Sequence, residues 1–141
     1  MTTLTDIKTY IELIEETYEF TLAYAAQGLD GSEGKKAGSE IRTYLTKADE
    51  AIGKLVPSFR EVVTSNQLAP AEQYNAFVDI IAQDAQATSA GVKLVLSQES
   101  ISSLLIDNLN ASIHVRALLT DLFLIEEILK QALAGSTQNE S

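Results

Sequence analysis

Residues 100–133 read SISSLLIDNLNASIHVRALLTDLFLIEEILKQAL. Leu104, Asn108, Ala111, Val115, Leu118, Leu122, Ile125, Leu129 and Ala132 recur at alternating spacings of four and three. That is the spacing of a coiled-coil seam, which lines up on one side of a helix. The pattern predicts one helix from a cap at Ser100 to about Leu133, stopped by Gly135. Residues 135–141, GSTQNES, read as a polar tail.

The same helix carries a second apolar line. Ile106, Ile113, Ala117, Leu124 and Ile128 fall on the side opposite the main stripe, at about 100° per residue. A peripheral helix of a monomeric bundle needs one apolar face. A second face means a centrally packed helix, a two-fold homodimer interface, or a patch for another partner. The expectation adopted is the homodimer interface, with a protein partner as a further prospect.

Three more helices lie upstream. Ile7, Ile11, Ile14, Tyr18, Leu22 and Ala25 predict helix one over about Thr5 to Gln27, capped by Thr3 or Thr5 and stopped at Gly28. Gly28 to Ser39, GLDGSEGKKAGS, is a loop whose end merges into helix two. Ile41, Tyr44, Leu45, Ala48, Ile52, Leu55, Phe59 and Val62 carry helix two to about Thr64. Pro57 lacks an N–H and clashes with the carbonyl of residue 53, a glycine, so a kink is expected there. After a turn at Ser65 to Ala69, Pro70 suits the first position of helix three. That helix carries Tyr74, Phe77, Val78, Ile81, Ala85, Thr88, Val92 and Val95 on one face. Val92 to Leu96 alternates like a strand, but a lone strand has nothing to pair with. The expected fold is all-α: an antiparallel four-helix bundle, one domain over residues 1–134, with the second helix kinked near Pro57.

Composition narrows function. The 141 residues hold 20 acids against 10 bases, a net charge of −10. Such a body repels phosphate backbones and anionic membrane surfaces, so neither nucleic acid nor membrane is an expected partner. The chain has no cysteine, which removes thiolate metal sites and cysteine nucleophiles. The opening residues lack the basic and apolar regions of a signal peptide. With the missing cysteines, that makes the cytoplasm the expected location.

Motifs for chemistry fail one by one. Di-iron bundles need Glu-x-x-His on two helices, but Ala111 stands three residues before His114, the one histidine. Asp107 and Asp121 lie about two turns from His114, roughly 10.5 Å along the axis and beyond hydrogen-bond reach. A P-loop needs Lys then Ser or Thr after its last Gly, whereas Gly34 and Lys35 are followed by Lys36. Lys35 and Lys36 retain a weaker role, holding an anion near the start of helix two. An EF-hand fails because its sixth position is Lys35 and its twelfth Ile41. No catalytic residue, metal or cofactor is expected. Tyr18, Tyr44, Tyr74 and Phe77 either fill the core or ring a cavity for a lipid or pigment. The leading expectation is a non-catalytic interaction or regulatory module, and the alternative is a carrier or sensor of a small apolar ligand inside the bundle.

Overall fold

Thr3 starts the first helix with a reciprocal pair of hydrogen bonds. The Asp6 N–H donates to Thr3 Oγ1 at 3.3 Å, and the Thr3 N–H donates to Asp6 Oδ2 at 2.9 Å. This capping box satisfies two amides that the helix cannot bond itself. A computed structural model describes residues 2–31 and 35–140, with side chains for 2–31 and 38–134. The described residues form α1 (Leu4–Ala26), α2 (Lys35–Ser65), α3 (Ala71–Leu96), α4 (Ser103–Ala111) and α5 (Ile113–Glu140). No strand occurs among them, and Val92 to Leu96 lies in α3.

The helix count departs from the expected four at Ser112. Its backbone, at φ −57° and ψ 129°, leaves the helical region. Ser112 then serves both ends. Its N–H donates to the Leu109 carbonyl at 3.0 Å, closing α4. Its carbonyl accepts from the Arg116 N–H at 3.2 Å, and its Oγ accepts from the His114 N–H at 3.2 Å, opening α5. Serine and asparagine offer the backbone such alternatives to helix, and residues 108–112 read NLNAS. At the far end α5 continues through Gly135 to Glu140. The expected stop fails there because glycine lowers helix propensity by about 1 kcal/mol without forbidding helix.

The break shifts the phase of everything before it. Leu104, Asn108 and Ala111 of the expected main stripe are exposed, and α4 buries Ser103, Ile106 and Asn110 instead. From Leu118 onward the stripe holds: Leu118, Leu122, Ile125 and Leu129 are buried. A smaller drift occurs in α1. Beyond Ile14 the buried line runs through Thr17, Thr21 and Tyr24, and Leu22 is exposed. Each threonine hydroxyl donates to a carbonyl of its own helix, Thr17 to Leu13 and Thr21 to Tyr18, both at 2.8 Å. With the hydroxyl satisfied, the methyl group can face the core.

α2 continues through Pro57, whose ring is exposed, with Leu55 and Phe59 fully buried on either side. It ends at a turn in which Gln67 takes φ +51° and the Leu68 N–H donates to the Val63 carbonyl at 3.0 Å, the bonding of a Schellman cap. Pro70, extended at ψ 123°, is the cap of α3 and not its first helical residue.

α1 packs closely on α2 and α4, α3 on α2 and α5, and α1 only lightly on α5. The buried apolar residues divide into two clusters. The larger contains Ile7, Ile11, Leu55, Phe59, Ile81 and Leu122, and the smaller contains Tyr24, Ile41, Leu45, Val95, Ile101 and Ile106. Polar ties hold the second end together. Tyr24 Oη donates to the Ile101 carbonyl at 2.6 Å, Ser103 Oγ donates to the Tyr24 carbonyl at 2.6 Å, and the Leu29 N–H donates to Ser103 Oγ at 2.8 Å. The Arg42 guanidinium donates to the carbonyls of Leu96, Gln98 and Glu99, where α3 ends and its dipole favours a cation.

Candidate functional site

The outer face of α5 is the first candidate. Ile113 is 74% exposed, Leu124 51% and Ile128 38%, and Ala117 between them is half-buried. They lie on the side of α5 away from Leu118, Leu122 and Leu129, with Phe123 exposed on one flank. The fifth residue expected on this face is not there. Ile106 is fully buried in the smaller cluster. The non-helical residue at Ser112 ends the register that would have joined Ile106 to Ile113.

The second candidate lies inside, where the two clusters meet beside the α4–α5 break. A cavity of about 50 Å³ is lined by Thr17, Tyr18 and Thr21 of α1, Thr88 of α3, Asn110 of α4 and Val115 of α5, among apolar neighbours. Asn110 is 7% exposed and its amide nitrogen Nδ2 has no hydrogen-bond partner. A buried donor without an acceptor costs roughly 1–3 kcal/mol. Of the four residues expected around a ligand, Tyr18 alone lines this cavity. Tyr44 stacks on Phe20 with centroids 4.1 Å apart, and Tyr74 and Phe77 pack half-buried against the larger cluster. Ring spacing along helices cannot show which rings share a void.

A third feature joins α3 to α5. Burial, then a hydrogen bond to Asp84, then the charge of Asp84 push the Asp121 carboxyl up to about 7 from its ordinary 3.8. Asp121 Oδ2 is buried without a hydrogen-bond partner, and beside a second carboxylate the neutral form of Asp121 is favoured. The folded state therefore holds the Asp121 proton more tightly than the unfolded state. Stability from this pair is greatest below about pH 4 and is lost as pH rises toward 7. Glu15, raised first by burial and then by Glu126, Glu12 and Glu19, contributes in the same sense. Asp121→Asn should raise the melting temperature at pH 8 and reduce the difference between melts at pH 5 and pH 8. An unchanged pH dependence would remove the pair from this role.

His114 is exposed, and its backbone carbonyl accepts from Thr88 Oγ1 at 3.0 Å. The side chains of Lys35 and Lys36, the expected anion site, lie outside the described residues. Among the described residues no group of three or more potential metal ligands converges, and no helix is long and apolar enough to cross a membrane.

Family models, curated proteins and solved structures show no match to this chain. Asn110 and the Asp84–Asp121 pair escaped the sequence reading. Asn110 stood off the expected stripe of its helix, and the two acids are far apart in the chain. Two asparagines close to a serine were the only local hint of a helix break.

Proposed function

We propose that this chain works by binding and not by catalysis, as an antiparallel bundle, bent at Pro57, that pairs with a second copy through the outer face of α5. The observation that carries it is the exposed line of Ile113, Leu124 and Ile128 on a helix whose opposite side is already buried. Apolar lines of this kind on otherwise polar surfaces mark interaction sites. The line is also self-complementary. In an antiparallel pair about a two-fold axis between Thr120 and Asp121, Ile113 meets Ile128 and Ala117 meets Leu124, so that small faces large. Arg116 and Glu127 fall on one flank of α5, and the two-fold brings Arg116 of one copy toward Glu127 of the other. A homodimer interface must match itself in this way. A net charge of −10 suits a soluble module, and a cysteine-free chain suits the cytoplasm, where we place it.

Sedimentation equilibrium tests the pairing. The wild type should associate, and Arg116→Glu should weaken association. Each rim pair contributes about 0.2–1 kcal/mol, so the two symmetric pairs together change the dissociation constant by up to roughly 30-fold. Adding Glu127→Arg should restore it. A wild type that stays monomeric at its solubility limit would overturn the proposal.

A further inference from the structure

The cavity beside the α4–α5 break carries a separate inference, because none of its lining residues belongs to the exposed line of α5. Its hydrogen-bonding potential is uneven. The three threonine hydroxyls have already given their protons to main-chain carbonyls: Thr17 to Leu13, Thr21 to Tyr18 and Thr88 to His114. The one uncommitted buried donor among the lining residues is Asn110 Nδ2. An occupant must therefore bring an acceptor. It must also be neutral: no charged side chain lines the space, and a bare charge enclosed among apolar groups is strongly penalised. Apart from Asn110, Tyr18 and the three threonines, the lining is aliphatic, which suits a carbon chain. Water is the competing occupant, because Asn110 Nδ2 and the threonine oxygens supply the two to four polar partners that a buried water needs.

Size and placement restrict the occupant further. At about 50 Å³ the cavity is roughly one third of the ~150 Å³ space that encloses benzene in an apolar core. It can surround only the first few atoms of a guest. The half-buried Tyr18 of α1 and Val115 of α5 line its edge. These two residues belong to helices that pack only lightly on each other and that carry the mutually repelling Glu15 and Glu126.

We propose that this cavity binds the oxygen-bearing end of a neutral aliphatic molecule, a medium-chain ketone or alcohol, with Asn110 Nδ2 donating to the oxygen and the chain leaving between α1 and α5. The test is an NMR titration of the full-length, ¹⁵N-labelled protein with 2-octanone, and separately with octanoate. The ketone should cause saturable shifts in the Asn110 side-chain amide and in the backbone amides of Thr88 and Val115, and octanoate should not. Asn110→Leu keeps the apolar volume and removes the donor, so it should weaken ketone binding about tenfold, the value of one hydrogen bond. Val115→Trp, at a half-buried position, should obstruct entry and abolish the shifts even if Asn110→Leu fails to fold. The proposal is overturned if the ketone gives no saturable shift, if octanoate binds equally well, or if Val115→Trp or a folded Asn110→Leu binds the ketone like wild type. It is also overturned if water cross-peaks to the Asn110 amide persist at saturating ketone, because the cavity would then be a water site.

Discussion

Replacing Ile113 and Leu124 together by Asp should turn the associated protein into a folded monomer. Both side chains are more than half exposed, so in the single chain the change falls on the surface, where substitutions usually shift stability by no more than about 0.5 kcal/mol. At the first position of α5, an acid even complements the helix dipole. In the proposed pair the same change buries carboxylates against isoleucine and alanine, with no cation placed to meet them. Enclosing an unpaired charge costs several kcal/mol, and the two-fold doubles the number. Helical circular dichroism should be retained while the sedimenting mass falls to that of one chain. Retained association would put the interface elsewhere, and unfolding would show that the outer face of α5 belongs to the core.

The second large effect separates two residues only two positions apart. Ile106→Ala should destabilise the protein by about 2–5 kcal/mol, the usual cost of emptying a buried isoleucine site. Leu104→Ala should be nearly neutral. Ile106 is fully buried with Tyr24, Ile41 and Ile101, whereas Leu104 is 69% exposed. Denaturant unfolding measures both. An uninterrupted helix in the register of the four-three stripe would reverse the result, with Leu104 sensitive and Ile106 tolerant. The pair of variants therefore reads directly whether Ser112 interrupts the helix in solution.

These expectations mark the boundary between local and long-range information. A cap at Thr3 or Thr5, the stop at Gly28, and the stripe from Leu118 to Leu129 were all readable, because caps and helical periodicity depend on residues within a turn or two of one another. Hence the all-helical class, the approximate span of α1, α2 and α3, and the buried side of α5 followed from the chain alone, as did its acidity and the lack of thiol chemistry. The tertiary structure decided the rest. Nothing in the spacing around Ser112 required a break, since the four-three pattern continues through it. Burial of Ile106 with α1, α2 and the α3–α4 connection favours the broken backbone, and Ser112 needs only its own hydroxyl and main chain to cap both ends. Likewise, Thr17 and Thr21 take the inward line of α1, leaving Tyr18 half-buried and Leu22 exposed, because packing selects which neighbouring line of a helix faces inward. The cavity at Asn110 and the raised Asp121 carboxyl beside Asp84 arise between helices, where groups distant in sequence meet out of water. Periodicity determines that a helix has an apolar side. What that side touches, and which polar groups are left without a partner there, is set by the packing of the whole.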